Sequence, residues 1–437
     1  MNEEKDSSVA YWELAGAKNR SASTISMPDK KVCYMRTGPQ NVIFKLPRLF
    51  RPIHVNLGVS GIRGIEKMKT GEKLRKTLVS LVRVFVFLVL GLNGILGQSV
   101  QWVEAIKVDP ASKFEITPRS FCVTEDKFFL FPDTQAGTIR IFGKEENFLK
   151  FLRAFGPGNE AFFQPVYCFY SHSEGKLGVI DYGSRKGFIF KRDGVVGFEP
   201  IKTFECRNFG YDIKFAGDGK QIIMSGYVTD KENRPFDLYS IDIETGRIEY
   251  LLPSHEKFGL KTHEAYAEEY FIKQTLPAIG IKAFIDIQGD DLFFVWEGAL
   301  RIIKLNIRSK EIARVFGQET PYYNKPIGSR FNIFYKNMDF HSILKEQKTF
   351  AYVRNIFATS RLVYVVYETG KKNEGDVSTF RLQTYTAEGV FLTDVPIPGT
   401  CGRQMWFDKE SYELYAFTDG AGTGKGEFAI LKYKINR

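Results

Sequence analysis

From residue 100 onward the chain alternates short apolar runs with glycine-bearing turns, and the arrangement recurs. Residues 155–194, FGPGNEAFFQPVYCFYSHSEGKLGVIDYGSRKGFIFKRDG, show it most clearly. An aromatic patch and a proline lead into a strand that ends at Asp181-Tyr182. A second strand carries Phe188-Ile189-Phe190, and Asp193-Gly194 turns the chain. A pleated unit of this kind, apolar on its faces and polar at its turns, cannot bury itself. It needs stacked neighbours, so the pattern predicts repeats along the whole segment.

Six repeats follow. Their paired runs begin at Phe128 and Gly137, at Val179 and Phe188, at Gln221 and Phe236, at Leu292 and Leu300, at Leu362 and Phe380, and at Tyr412 and Glu427. The second strands start near residues 139, 188, 238, 302, 382 and 429, a core spacing of about 48 that fits a four-stranded propeller blade. Wider spacing before the fourth and fifth repeats implies insertions at 254–280 and 318–348, with a further loop at 370–378. The first insertion has room for a short helix around Glu264–Lys273. Asp-Gly, Glu-Gly and Thr-Gly pairs supply the positive φ that hairpin turns require. The first strand of each repeat is more continuously apolar than the second, as expected for a strand buried on both faces.

Composition changes this picture little. The 15% aromatic content, led by 39 Phe and 21 Tyr, suits strands. The net charge of +10 would ordinarily point to nucleic acid, but its distribution does not. Residues 1–99 carry 16 Lys/Arg against 7 Asp/Glu, and the remaining 338 residues carry 45 against 44. The basicity belongs to the leader, so no nucleic-acid partner is expected. Lys73, Arg75, Lys76 and Arg83 precede the apolar run Val84–Leu92, and small residues follow to Gly97. That order predicts a signal peptide at 68–97 and export to the periplasm or outside the cell. The alternative is a membrane tether through 77–96. Residues 1–67 have no sustained periodicity. They are expected to be unstructured, or absent from the native protein if translation starts at Met68.

The stretch Gly156-x-Gly158 to Pro165, followed by Val179-Ile-Asp181 and Ile189-Phe190, resembles an NHL-type repeat. Residues 98–437 as a whole are similar to exported bacterial six-bladed β-propellers. The resemblance implies an all-β ring of six four-stranded antiparallel blades around a central channel. It further implies closure by an N-terminal strand near 100–108 that completes the last blade.

No catalytic signature accompanies the repeats, and no catalytic, cofactor-binding or metal-ligating residue is assigned. Asp133, Asp181, Glu297, Glu368 and Asp419 recur where the first strand of a repeat ends. They could form a carboxylate ring for a divalent cation. Recurrence once per blade favours capping of the turn by a carboxylate instead. The run Asp419-Gly-Ala-Gly-Thr-Gly-Lys-Gly426 lacks the first Gly and the Ser/Thr of a phosphate loop. His54, His172, His255, His263 and His341 form no HxxxH pair. His255 and His263 share an insertion with Glu256, Glu264, Glu268 and Glu269, and a solvated face is the reading preferred there. Cys33, Cys122, Cys168, Cys206 and Cys401 show no zinc spacing and read as buried small apolar residues, with one or two disulfides allowed. Tyr322, Tyr323 and Trp406 are candidates for a ligand surface.

The function expected is non-catalytic binding or scaffolding outside the cytoplasm, with a protein, peptide or glycan held by the propeller loops and no cofactor. The alternatives are a divalent-cation-dependent hydrolase or lactonase-like enzyme, and a membrane-anchored sensor domain.

Overall fold

The computed structural model describes residues 98–107, 118–143, 148–153, 162–206, 210–217, 219–253, 282–325, 341–342, 345, 348–371, 378–399, 401–418 and 428–436. All lie in one unit, Lys73–Arg437. The expected leader at 68–97, residues 1–67, the insertion 254–280 and the glycine run 420–426 lie outside the described residues. No helix among the described residues is long and apolar enough to cross a membrane.

The fold is all β, with helical residues only at 341, 342 and 345 among those described. Strand β1 (Ser99–Lys107) comes first, and the blades follow in order. Blade 1 holds β2 (Cys122–Val123), β3 (Phe129–Asp133), β4 (Thr138–Phe142) and β5 (Phe148–Leu152). Blade 2 holds β6 (Pro165–Ser171), β7 (Lys176–Asp181), β8 (Lys186–Asp193) and β9 (Gly197–Glu205). Blade 3 holds β10 (Asp212–Phe215), β11 (Gln221–Thr229), β12 (Pro235–Asp242) and β13 (Ile248–Pro253). Blade 4 holds β14 (Ala283–Gln288), β15 (Asp291–Trp296), β16 (Ile302–Asn306) and β17 (Ile312–Phe316). Blade 5 holds β18 (Tyr352–Ala358), β19 (Leu362–Glu368), β20 (Phe380–Thr386) and β21 (Phe391–Ile397). Blade 6 holds β22 (Gln404–Asp408), β23 (Glu413–Thr418) and β24 (Ala429–Asn436). Each sheet is antiparallel with strands in chain order, and β1 supplies the fourth strand of blade 6. This is a closed six-bladed propeller.

The apolar runs have a simple cause. Each strand second from the axis is sandwiched between two blades, and alternate side chains enter different seams. On β15, Leu292, Phe294 and Trp296 pack toward blade 3, while Phe293 and Val295 pack toward blade 5. On β19, Val363, Val365 and Tyr367 face blade 4, and Tyr364 and Val366 face blade 6. The same division on the other second strands gives six apolar seams around the ring. The last seam joins blades 6 and 1, where the Phe131 and Phe417 rings lie 4.9 Å apart. Each fully buried Phe or Leu in such a seam contributes roughly 1.5–3 kcal/mol of transfer free energy.

The turns follow the glycine signals. Gly194, Gly246 and Gly389 have φ of 67°, 68° and 82°, which a β-carbon would disfavour. Closure matches the expectation: β1 pairs with β24 from Ser99↔Asn436 to Lys107↔Ala429, with one irregularity between Trp102 and Glu104.

The inner strands leave one edge open toward the axis, and blades satisfy one another's edges. Asp212 accepts the Ile285 N–H at 2.9 Å, and Asp286 accepts the Ala358 N–H at 2.6 Å. Asn355 donates to the Met405 carbonyl at 3.3 Å, and the Ser120 hydroxyl accepts the Cys168 N–H at 2.9 Å. Polar inner-strand residues are therefore part of the ring's construction, because an unpaired buried backbone group is costly.

Candidate functional site

Strand order fixes which connections share an end of the ring. Turns between first and second strands and between third and fourth strands emerge together, and none exceeds five residues. At the opposite end emerge the second-to-third connections and the links between blades. Segments 108–121, 153–164, 254–282, 317–351, 369–379 and 419–428 all leave and return there. Every long connection of the propeller thus belongs to one face, and long loops on a rigid scaffold are where binding residues concentrate.

On the short-turn face a ring stack and ion pairs join residues of different blades. The imidazole of His172, from blade 2, stacks on the Trp406 indole of blade 6 at 5.4 Å and 18°. Its Nε2 lies 3.0 Å from the Val123 carbonyl. Lys127 pairs with Asp408, and Lys409 reaches Asp286 at 2.8 Å and the Ile287 carbonyl at 2.9 Å. Lys214 pairs with Asp212 at 3.2 Å. Burial works to lower the Lys214 pKa, but the charges of Asp212 and Asp286 outweigh it and hold the ammonium above its ordinary value.

Burial alone would raise the Asp408 pKa. Bonds from Lys127, Ser411 and the N–H groups of Glu410 and Ser411 overcome that and hold it at about 2, against 3.8. A carboxyl with a depressed folded pKa contributes stability above its unfolded pKa and loses it as pH falls through the folded value. The contribution here is about 2 kcal/mol. Asp408→Asn is expected to cost about that much at neutral pH and to flatten the acid loss between about pH 4 and about pH 2. Urea melts across that range measure both.

The mouth on the long-loop face is built differently. Glu297 of blade 4 and Glu368 of blade 5 both bind the guanidinium of Arg354. Arg354 reaches Glu368 at 2.7 Å, and Arg403, ahead of blade 6, reaches it at 3.2 Å. The first three side chains are 11–12% exposed, whereas Arg403 is 65% exposed. Burial tends to raise the Glu368 pKa, but Arg354 and Arg403 prevail and keep it below the usual range. The Arg354 guanidinium sits 5.1 Å from the Tyr352 ring centre.

On the other side of this mouth stand Tyr167 and Tyr182, their rings 5.9 Å apart, with the Tyr182 hydroxyl donating to Gly210 at 3.2 Å. Burial pushes the Tyr167 phenol up to about 12, opposed by the charge of Arg119. Arg119 also acts on Tyr182 and Tyr211, and Glu297 acts on Tyr211. Arg119 is exposed. The result is a rim of guanidinium groups and tyrosines contributed by several blades. Arginine forks and aromatic faces suit polar or anionic ligands.

The recurring acidic positions cap turns or bind arginine, and Asp133 does both, its Oδ2 accepting from Arg140 Nε at 2.7 Å. Asp133 caps its turn by accepting the Gln135 and Ala136 N–H groups at 3.2 and 3.0 Å, and Asp181 accepts those of Phe163, Gln164 and Gly183 at 2.7, 2.6 and 3.1 Å. Glu297 and Glu368 bind arginine as described. Asp419 lies outside the described residues, as do Cys33, His54, His255 and His263. His341 is exposed, and Tyr323 is buried. Tyr322 is exposed with the Arg381 guanidinium 3.6 Å from its ring centre. Trp406 is the residue stacked on His172. Cys122, Cys168, Cys206 and Cys401 are buried. No cluster of three or more His, Cys, Asp or Glu suited to a metal occurs among the described residues.

Arg119, Tyr167, Tyr211, Arg354 and Arg403 belong to no sequence motif. One signal for them was present. Glu replaces Asp at two of the repeat-end positions, and its longer chain carries the carboxylate away from the turn.

No protein-family profile and no curated protein matches the chain. Solved structures do. A member of the DUF4221 family from Bacteroides vulgatus is similar at 13% identity and a TM-score of 0.55, over 77% of this chain and 98% of that one. A candidate exported protein from Bacteroides fragilis is similar at 14% identity and a TM-score of 0.50, over 77% of this chain and 96% of that one. These likenesses concern the fold, a six-bladed β-propeller.

Proposed function

We propose that this propeller is a non-catalytic binding or scaffold protein that works outside the cytoplasm and takes a protein, peptide or glycan at its long-loop face. The observation that carries the reading is the difference between the two mouths. One has only short turns, with ion pairs among the residues beneath them. At the other the long connections begin and end, and it carries exposed Arg119 and Arg403 beside tyrosines. Export is supported by the basic-then-apolar order of residues 73–97 and by the similarity to a candidate exported Bacteroides protein. The NHL-like character rests on the residues of blade 2.

Peptide and glycan arrays probed with the purified chain test the reading. Arg119→Ala and Arg403→Ala are expected to weaken each hit by roughly tenfold or more, the usual cost of truncating an interface arginine. Arg308→Ala, in a turn of the opposite face and 80% exposed, is expected to change nothing. Hits that depend on Arg308 and ignore both rim arginines would place recognition on the wrong face.

A further inference from the structure

Two thiols meet where two blades meet. Cys122 lies on β2 and Cys168 on β6, inner strands of blades 1 and 2, and their sulfurs are 3.6 Å apart. Both side chains are buried, at 2% and 4% exposure. Cys168 is further held by Ser120, whose hydroxyl accepts its N–H at 2.9 Å, and its Sγ lies 3.3 Å from the Leu130 carbonyl. The other two described cysteines stand in different seams, Cys206 between blades 2 and 3 and Cys401 between blades 5 and 6. Among the described cysteines, one pair is thus poised.

We propose that Cys122 and Cys168 form an inter-blade disulfide when the chain folds in the presence of a disulfide oxidant. A disulfide needs its sulfurs at about 2.05 Å, so they must approach by roughly 1.5 Å, within reach of side-chain rotation. The exchange balances as follows. One cysteine thiolate attacks glutathione disulfide and releases a glutathione thiolate. The second then displaces the other glutathione from the mixed disulfide. Two electrons pass from the protein thiols to glutathione, and two protons leave the thiols. Burial, and then the bond with Cys168, raise the Cys122 pKa, so little thiolate exists in the finished ring. The bond therefore forms as blades 1 and 2 dock.

The location gives the bond a purpose. With two residues, β2 is the shortest inner strand of the ring, and its ladder to β3 is only Cys122↔Leu130 and Val123↔Phe129. A covalent link to β6 anchors this weak strand next to the blade that receives the closing seam. Formation of the bond in the cell rests on the export proposed above, because disulfides persist in oxidising compartments. Its capacity to form does not, so the two are tested separately.

The purified full chain is unfolded under reduction, refolded with reduced and oxidised glutathione, then unfolded in denaturant with excess maleimide to block the remaining thiols, and mapped by mass spectrometry. The expected result is a Cys122–Cys168 cross-linked peptide, with Cys206 and Cys401 carrying the block. The melting midpoint should lie a few degrees above that of the same protein refolded under reduction. Cys122→Ser and Cys168→Ser should each fold, lack the link and lose the increment. A folded ring with both cysteines blocked, or a link that joins either of them elsewhere, would overturn the proposal. Mapping the same peptides from the native cell envelope tests the compartment independently.

Discussion

A chain that lacks Ser99–Lys107 is expected not to reach a stable monomeric ring. Eight residues of β1 pair with β24. At about one backbone bond per pair and about 0.5–1.5 kcal/mol each, the ladder is worth about 4–12 kcal/mol before chain ordering is subtracted. That is the size of a whole domain's stability. Ile106 also leaves the seam between blades 6 and 1. The bared edge of β24 then offers unpaired N–H and C=O groups to other chains. Size-exclusion chromatography and a thermal melt of the truncated chain should show aggregation and loss of a cooperative transition. Adding back a synthetic peptide of residues 98–108 should restore part of that transition.

Asp394→Ala is expected to cost about 3–5 kcal/mol, the usual penalty for breaking one side of a buried ion pair. Asp394 is the hub of blade 5. It accepts from Arg381 Nε at 2.7 Å, from the Tyr367 and Thr320 hydroxyls at 2.6 Å each, and from Gln383 at 3.2 Å. The Arg381 and Asp394 side chains are only 11% and 6% exposed. Thr320 belongs to the segment that leaves blade 4, so the hub also fastens the start of the 317–351 connection to blade 5. Removing the carboxylate leaves a buried guanidinium without its charge partner and takes an acceptor from three further donors. Denaturant melts should show the loss in full. The double substitution Asp394→Leu with Arg381→Met should recover much of it, because no buried charge is then left unpaired.

The repeat was readable because alternate side chains of a second strand enter two different seams. Leu292-Phe-Phe-Val295 must therefore be apolar at every position, and such runs survive in any sequence that builds blades. Inner strands carry no such signature. β10 reads Asp-Ile-Lys-Phe, since Asp212 serves the open edge of β14 and Lys214 pairs with Asp212. The closing strand was legible only through resemblance, as Ser99–Lys107 is exposed along most of its length. The rim residues were illegible for another reason. Glu297, Arg354, Glu368 and Arg403 are distant in sequence, and only closure of the ring brings them together. Disulfides were allowed among the cysteines, but which two meet was not legible, since Cys122 and Cys168 are 46 positions apart.

Ring closure in register underlies the channel, the two unlike mouths and the inter-blade contacts alike. Gln101 lies directly opposite Lys434 across the β1–β24 ladder. A protein carrying Gln101→Cys with Lys434→Cys, refolded with glutathione, should form that cross-link within single molecules. The displaced pair Gln101→Cys with Ile435→Cys should not, because neighbouring residues on a strand face opposite sides. Cross-linking of the displaced pair, or cross-links found only between molecules, would contradict the closed ring described here.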